Sequence, residues 1–212
     1  MTTHNPIHYD ALLPVAKVVF AAYAPVTTIG LENIPASGGV LITSNHASYL
    51  DSVLVWLTCP RRVAFLGKKE LYDTPLSAWF FRGYGVIPVD RENPTLSMVR
   101  NTLSALRDGM PVMVAPEGTR SPNGELQPFK SGFVKFAHKA RVPILPTAII
   151  GSYEVWPREN RFPRPSKITV VYGKPIMTEG SANSTALDSA TLESTSDLVR
   201  SRIQALIQTY SH

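Results

Sequence analysis

Residues 40–51 read VLITSNHASYLD, a short apolar run that passes directly into polar residues. The run follows the pair Gly38-Gly39 and predicts a buried strand. The polar residues after it include His46 and, five positions later, Asp51. Because open α/β sheets hold their sites beyond the carboxyl ends of strands, this junction predicts a functional edge of a sheet.

Strands and helices alternate along the rest of the chain. Further strands are predicted at residues 63–66, 86–89, 112–115, 144–150 and 167–172. Helices are predicted at residues 94–108, 131–140 and 199–210. The first of these helices has Asn93 as its expected N-cap and Pro94 as its first residue. Residues 178–196 are rich in Ser, Thr and Ala and predict a loop or a weak helix. The alternation predicts an α/β fold: a single domain with a central, largely parallel sheet flanked by helices.

Composition narrows the class of protein. The chain has 212 residues, of which 44% are hydrophobic and only 17% charged, and its formal net charge is +5. A modest positive charge fits an anionic membrane surface or a phosphate-bearing substrate. Nucleic-acid binding is disfavoured, because no basic-aromatic motif accompanies the charge. Cys59 is the only cysteine, so an internal disulfide is impossible and a reducing, cytoplasmic compartment is expected.

The N-terminal segment is apolar but short. Residues 11–26 read ALLPVAKVVFAAYAPV, whereas spanning a bilayer takes about 20 apolar residues. Residues 1–10 contain no Lys or Arg, which is unlike a secretory signal. The segment therefore predicts a helix that either lies at a membrane interface or caps the core. The chain is divided accordingly into an apolar helix, residues 1–27, and a catalytic domain, residues 28–212.

The pair His46 and Asp51 is the first chemical candidate. Histidine is the usual general base near neutral pH, and a nearby carboxylate can fix its tautomer and stabilise the imidazolium. On these residues alone, a capped helix start with Asn45 or Ser48 as the cap is the simpler interpretation.

Two further polar clusters also follow predicted strands. The first, GVIPVDR, ends on Arg91, whose planar fork suits phosphate, although an ordinary salt-bridged strand end has the same pattern. The second, VAPEGTRS, contains Glu117, Gly118, Thr119 and Arg120. Here Gly118 permits a tight turn and Arg120 supplies charge, while Glu117 could orient an arginine or accept a hydrogen bond from a substrate hydroxyl. A polar turn is the alternative.

A fourth stretch, VPILP at residues 142–146, has two prolines around an apolar strand start. It predicts a rigid edge or wall of the sheet with a packing role.

The four stretches NHASYLD, GVIPVDR, APEGTRS and VPILP occur in this order along the chain. Together they resemble the four sequence blocks of the glycerolipid acyltransferase family, of the 1-acylglycerol-3-phosphate acyltransferase (PlsC-like) type. The resemblance covers about residues 29–150, and GKPI at residues 173–176 is also similar. It implies that His46 and Asp51 are the catalytic pair. It places the substrate-binding residues at Arg91, Glu117, Gly118, Thr119, Arg120 and Pro146, with no metal.

The resemblance also implies an activity. A fatty acyl group would pass from acyl-coenzyme A or acyl carrier protein to the free hydroxyl of 1-acylglycerol-3-phosphate, giving phosphatidate. The thioester is a co-substrate, and no cofactor is expected. Backbone N–H groups near residues 46–48 or 117–120 are the expected donors to the oxyanion. The expected location is the cytoplasmic face of the cell membrane, as a peripheral or monotopic protein.

Three alternatives remain open from the sequence. The acceptor could instead be glycerol-3-phosphate, a lyso-aminolipid or a glycolipid. A hydrolase is disfavoured because no Gly-x-Ser-x-Gly elbow occurs. A non-catalytic module that binds lipid or acyl carrier protein would not need the histidine and its carboxylate.

Overall fold

The computed structural model describes residues 6–90, 95–178 and 187–211. The strands are β1 (Val26–Ile29), β2 (Val40–Ser44), β3 (Ala64–Lys68), β4 (Val86–Val89), β5 (Pro111–Val114), β6 (Ile144–Ile150) and β7 (Ile168–Tyr172). The helices are α1 (Pro6–Tyr23), α2 (Asp51–Thr58), α3 (Pro75–Tyr84), α4 (Leu96–Arg107), α5 (Gly132–Ala140), α6 (Ser152–Val155) and α7 (Ser189–Tyr210).

In this described part of the chain, the strands form one sheet in the order β1-β7-β6-β2-β5-β3-β4. The five strands from β6 to β4 are parallel to one another, whereas β7 pairs with β6 in the antiparallel direction and with β1 in parallel. The predicted fold class is therefore confirmed as a single α/β domain with a mostly parallel sheet. Because β2, β3, β4, β5 and β6 run the same way, the polar residues that follow them meet at one edge of the sheet.

Helices cover both faces of the sheet, which explains why its strands read as continuous apolar runs. On β2, Val40 and Ile42 face the core shared with α2 and α1, whereas Leu41 faces the core shared with α4, α5 and α7. All three side chains are fully buried. The strand is thus held on two sides, and its end at Ser44 is a rigid base for the residues that follow.

Several element boundaries differ from the sequence prediction. Helix α4 begins at Leu96, where the Thr95 side chain accepts a hydrogen bond from the N–H of Met98. The predicted cap, Asn93, and Pro94 lie outside the described residues. Helix α7 begins at Ser189, capped by Asp188, so residues 189–196 of the predicted loop or weak helix are regular helix, and residues 179–186 lie outside the described residues.

Strand β1, helix α3 and the four-residue helix α6 were not predicted from the sequence. Strand β1 contains Thr27 and Thr28 and is only four residues long, and it spans the boundary placed between residues 27 and 28. Helix α3 has a clear start signal in Thr74 and Pro75: Thr74 forms a reciprocal capping box with Ser77. These residues are a start signal for a helix that the sequence itself contains.

The expectation that residues 142–146 form a sheet edge is wrong, because β6 lies between β2 and β7. An interior strand normally excludes proline, since proline has no N–H for the ladder. Pro146 is tolerated because the β6–β7 pairing begins at Thr147, opposite Tyr172. At Pro146 itself, the contact with the chain after β7 uses only the proline carbonyl, which accepts the N–H of Gly173. The missing N–H of the proline therefore costs no hydrogen bond there.

The N-terminal apolar segment forms helix α1, which continues through Pro14. Leu13, Ala16 and Phe20 pack against the core, while Val15 and Val18 are exposed. Of the helices in the described ranges, none is both long and apolar enough to cross a bilayer.

Candidate active site

The carboxylate of Asp51 holds the ring of His46. Nδ1 of His46 lies 2.8 Å from Oδ2 of Asp51, the first residue of α2. The same oxygen accepts the N–H groups of Ala47 (2.8 Å) and Ser48 (2.9 Å), so the turn between β2 and α2 is folded around it. Asp51 is fully buried, whereas the His46 side chain is 19% exposed. With Nδ1 donating to the carboxylate, Nε2 is left as an acceptor, the state a general base needs.

Asn45 holds this turn to strand β6, and Ser48 holds it to the residue that follows α6. The Asn45 side chain donates to the carbonyl of Ile149 and accepts its N–H, both at 2.8 Å. The Ser48 hydroxyl donates to the carbonyl of Trp156 at 2.7 Å. The residue before α2 is Leu50, which has no side-chain cap. Asn45 therefore caps no helix, whereas the Ser48 hydroxyl accepts the N–H of Leu50 at 3.2 Å in the turn that leads into α2.

Glu117, in the stretch APEGTRS, is hydrogen-bonded to the backbone of His46 in the stretch NHASYLD. Its Oε1 accepts the N–H of His46 at 2.7 Å, and its Oε2 accepts the N–H of Gln127 at 3.2 Å. Burial raises the pKa of Glu117 to about 7, against the lowering effect of these two hydrogen bonds. Its side chain is not among those lining the adjacent cavity, so both oxygens serve the loops around the histidine.

Gly118 and Arg120 line the same cavity as the histidine. Gly118 adopts a φ of 74°, the left-handed conformation that glycine enters most easily. The guanidinium of Arg120 lies 3.5 Å from the ring centroid of Tyr49, a cation–π contact. Nη1 of Arg120 is buried and has no hydrogen-bond partner among the described residues. This nitrogen is therefore a hydrogen-bond donor that the described residues do not use.

A cavity of about 400 Å³ opens at this edge of the sheet. Its polar lining residues include His46, Tyr49, Arg120, Lys68 and Lys130. Its apolar lining residues include Phe65, Leu66, Leu71, Val89, Met113 and Val114. The cavity therefore joins a base, cations and an apolar surface in one space. No cluster of His, Cys, Asp and Glu able to hold a metal occurs in residues 6–90, 95–178 and 187–211.

Of the other predicted substrate-binding residues, Thr119 and Pro146 do not line the cavity. Thr119 is exposed in the loop between Gly118 and Arg120. Pro146 is buried in β6 and does not line this cavity. Arg91 lies outside the described residues. The sequence analysis missed Tyr49 and Lys130: Tyr49 stands inside the first block, so its position was a usable signal, whereas nothing local marked Lys130.

The expected oxyanion donors at residues 46–48 are already engaged. The N–H of His46 donates to Glu117, and those of Ala47 and Ser48 donate to Asp51. The N–H of Gly118 donates to the carbonyl of Ala115. The N–H groups of residues 46–48 and of Gly118 therefore donate within the protein, whereas Lys68, Arg120 and Lys130 bring side-chain donors to the cavity lining.

A histidine held by a buried carboxylate, beside a cationic and apolar cavity at the carboxyl ends of parallel strands, is an arrangement that can take a proton from a hydroxyl. The profile of the acyltransferase family matches residues 25–150, and this chain belongs to that family.

Several relatives carry more specific names. The chain is 32% identical to a 1-acyl-sn-glycerol-3-phosphate acyltransferase of Cocos nucifera, over 73% of this chain and 51% of the relative. It is 31% identical to the enzyme of the same name from Bacillus subtilis (strain 168), over 64% of this chain and 67% of the relative. It spans about half the length of the plant relatives it matches.

A solved structure shows the same fold. The crystal structure of the 1-acyl-sn-glycerophosphate (LPA) acyltransferase PlsC from Thermotoga maritima superposes with a TM-score of 0.77 at 26% identity. The match covers 93% of this chain and 79% of that one, so it includes the sheet edge that carries the site.

Proposed function

We propose that this chain transfers a fatty acyl group from an acyl thioester to the free hydroxyl of 1-acylglycerol-3-phosphate, giving phosphatidate. The observation that carries the proposal is His46, whose Nδ1 is held 2.8 Å from the buried Asp51 while its ring lines a cavity shared with Arg120. A base and an anion site in one cavity fit an acceptor that bears both a hydroxyl and a phosphate.

The reaction follows from this arrangement. Nε2 of His46 takes the proton of the acceptor hydroxyl as the oxygen attacks the thioester carbonyl, and Asp51 stabilises the imidazolium. Lys68 and Lys130, which also line the cavity, offset the charge of the oxyanion. The C–S bond then breaks, and the imidazolium returns its proton to the leaving thiolate. No covalent acyl-enzyme and no cofactor is needed.

The cations of the cavity favour a phosphate-bearing acceptor. Arg120, Lys68 and Lys130 all line the cavity, and Nη1 of Arg120 lacks a partner in the described residues. The lining carboxylate, Asp90, accepts a hydrogen bond from Lys69 at 2.7 Å, which reduces its repulsion of an anion. The relatives' names, which specify 1-acyl-sn-glycerol-3-phosphate, agree with this chemistry.

The apolar side of the same cavity suits a fatty acyl chain. Phe65, Leu66 and Met113 line it and offer no hydrogen-bonding side chain. Acyl-coenzyme A and acyl carrier protein present the same thioester to such a site, so both are proposed donors.

We also place the protein on the cytoplasmic face of the membrane, as a peripheral or monotopic protein. Helices α1 and α3 pack against each other and both expose apolar side chains, chiefly Val15, Val18, Leu76 and Trp79. Exposed apolar side chains on neighbouring helices are typical of a surface that meets lipid.

A basic loop borders α1 and supports the same location. The Tyr23 hydroxyl donates to the carbonyl of Pro163, which fixes the loop beside the end of the helix. The loop exposes Arg158, Arg161 and Arg164, and it also exposes Phe162. Cations beside an apolar surface favour an anionic leaflet.

The test is an acyl-transfer assay with purified protein in detergent, labelled palmitoyl-coenzyme A and a panel of acceptors led by 1-acylglycerol-3-phosphate. The His46→Ala variant is run beside His138→Ala, which alters a histidine on α5 away from the cavity. We expect phosphatidate from the wild type and from His138→Ala but not from His46→Ala.

Each other result has its own meaning. Product only with glycerol-3-phosphate, a lyso-aminolipid or a glycolipid would keep the chemistry and change the acceptor. Thiol release without a lipid product would identify a hydrolase. Full turnover by His46→Ala would refute the proposed base. If the wild type is inactive with palmitoyl-coenzyme A, the assay is repeated with palmitoyl-acyl carrier protein, and inactivity there too would leave a module that binds lipid or acyl carrier protein.

A further inference from the structure

Asp51 uses both of its carboxylate oxygens, and the second is held by a residue far away in the sequence. Oδ2 faces His46 and the N–H groups of Ala47 and Ser48. Oδ1 accepts the hydroxyl of Ser152 at 2.7 Å. Within the described residues, Ser152 is the hydrogen-bond donor that the structure gives to Oδ1. Asp51 is 0% exposed and Ser152 1% exposed, so no solvent replaces this contact.

A fully buried carboxylate needs a donor on each oxygen. An unpaired acceptor in the interior keeps its desolvation penalty, and it tends to rotate toward whichever donor remains. If Oδ1 lost its donor, the carboxylate of Asp51 could turn and share the donors of Oδ2. That rotation would move the negative charge away from Nδ1 of His46.

The backbone around Ser152 is built to hold its hydroxyl in this place. Gly151 adopts a φ of 85°, and a Cβ there would lie 2.2 Å from the carbonyl oxygen of Lys167. The turn therefore requires glycine, and it directs Ser152 back toward Asp51. Ser152 lies two residues beyond the stretch matched by the acyltransferase profile, residues 25–150.

We propose that Ser152 is a positioning residue of the acyl-transfer reaction, whose hydroxyl fixes the carboxylate of Asp51 so that Oδ2 faces Nδ1 of His46. The proposal rests on the proposed function, because it assigns a role in that reaction. Ser152 itself does not line the cavity and acts only through the carboxylate.

Kinetics of three variants test this role. In Ser152→Ala we expect kcat to fall roughly 10- to 100-fold, the effect of losing one hydrogen bond to a charged group, with both KM values unchanged. Ser152→Thr keeps the hydroxyl and should recover most of kcat. Ser196→Ala makes the same substitution at a buried serine of α7 and should match the wild type.

A second measurement does not depend on turnover. With ¹⁵N-labelled histidine, NMR should show the His46 Nδ1–H resonance shifted downfield by its bond to Asp51, and His46→Ala assigns it. The resonance should move upfield or broaden in Ser152→Ala but stay in place in Ser196→Ala. Because this signal needs no substrate, it separates failure of this proposal from failure of the proposed function.

The outcomes are distinguishable. An unchanged kcat and an unchanged His46 resonance in a folded Ser152→Ala variant would overturn the proposal. Equal losses in Ser152→Ala and Ser196→Ala would indicate general destabilisation and would also overturn it. If Ser152→Thr does not fold, Ser152→Cys replaces it: a thiol is a weak donor of similar shape, so kcat should lie between those of serine and alanine.

Discussion

Oε1 of Glu117 accepts the backbone N–H of His46 at 2.7 Å, so a carboxylate 71 residues away in the sequence holds the main chain of the proposed base. On the other side of the same residue, the N–H of Ser121 donates to the carbonyl of His46, also at 2.7 Å. The segment that contains Glu117 and Ser121 therefore fixes both peptide groups of His46. Any change that weakens Glu117 as a hydrogen-bond acceptor should therefore alter the position of the His46 imidazole.

Glu117 should make activity depend on pH near neutrality. Burial raises the pKa of Glu117 to about 7. Above that pH the carboxyl group is ionised, and its two oxygens accept the N–H groups of His46 and Gln127. Protonation turns one of these oxygens into a hydrogen-bond donor. We expect kcat to rise through about pH 7 in the wild type, and Glu117→Gln to lower kcat and flatten this part of the pH profile. A Glu125→Gln control, on the exposed part of the same loop, should keep the wild-type profile.

The stability of the protein should change with pH in the opposite direction. The folded state raises the pKa of Glu117 above the usual 4.5, so it binds the proton more tightly than the unfolded chain does. This contribution to stability is fully present below about pH 4.5 and is lost as the pH rises through about 7. Urea unfolding between pH 5 and 8 should show wild type losing stability relative to Glu117→Gln, by at most about 1.4 kcal/mol per pH unit. A constant difference would contradict the raised pKa.

Arg120 should determine affinity for the phosphate of the acceptor. Its Nη1 is buried without a partner in the described structure, and losing a charged hydrogen bond costs about 2 kcal/mol. Arg120→Ala should therefore raise the KM for 1-acylglycerol-3-phosphate about 30-fold and leave the KM for palmitoyl-coenzyme A unchanged. Steady-state kinetics with each substrate varied in turn measure both constants.

The Tyr49 ring offers a matched comparison for Arg120. Tyr49→Phe keeps the aromatic face that lies 3.5 Å below the guanidinium, and Tyr49→Ala removes it. Only the alanine variant should weaken acceptor binding, and by less than Arg120→Ala does. Equal donor and acceptor effects in Arg120→Ala would argue against a phosphate site there.

The sequence predicted the parts of this site that depend on local spacing. His46 and Asp51 lie five residues apart across one turn, so the chain itself brings them together. Short apolar runs predicted β4 and β6 at their observed bounds, although β6 is buried along almost its whole length and β4, at the edge of the sheet, is only partly buried. Strand β1, with two threonines in four residues, has no such pattern and forms because it pairs with β7.

The contacts between distant segments could not be predicted in the same way. The bonds of Ser152 to Asp51 and of Asn45 to Ile149 join residues more than 100 positions apart. A serine after glycine has no periodicity or charge that marks it. The interior position of β6 was equally hidden, because the strand order depends on pairings that no single segment encodes. The sequence therefore predicted the catalytic candidates that lie close together in the chain, but not the distant residues that hold them in place.

Gly118→Ala should lower kcat/KM by more than its loss of unfolding free energy explains. Gly118 and Gly38 adopt nearly the same left-handed backbone, with φ of 74° and 76°. An alanine at either position should lose about 1–2 kcal/mol of unfolding free energy. At Gly118 a Cβ would also lie 3.3 Å from Lys130, whereas at Gly38 it would meet nothing within 4 Å. Urea denaturation should show similar losses, but only Gly118→Ala should lower kcat/KM. Equal activity in the two variants would contradict this role.

Cys59 should take no part in the reaction. Its side chain is buried in the core beneath α2, and burial raises the pKa of the Cys59 thiol, which leaves little of the nucleophilic thiolate. The folded protein should react slowly with an aromatic disulfide reagent at pH 8 and rapidly in urea. Cys59→Ala should retain the wild-type kcat. An acyl group trapped on Cys59 in quenched reactions would require a covalent mechanism instead.

The exposed apolar side chains of α1 should drive binding to membranes. Val18 on α1 is 71% exposed, while Leu96 on α4, on the opposite face of the sheet, is 82% exposed. If exposure alone mattered, an aspartate at either position would have the same effect. Burying a valine in lipid is worth about 1.5 kcal/mol, so Val18→Asp should weaken cosedimentation with phosphatidylglycerol-containing vesicles at least about tenfold. Leu96→Asp should bind like the wild type, because its side of the sheet faces away from α1 and α3. Equal losses in both variants would mean that neither helix defines the membrane surface, and wild-type binding by Val18→Asp would remove α1 from it.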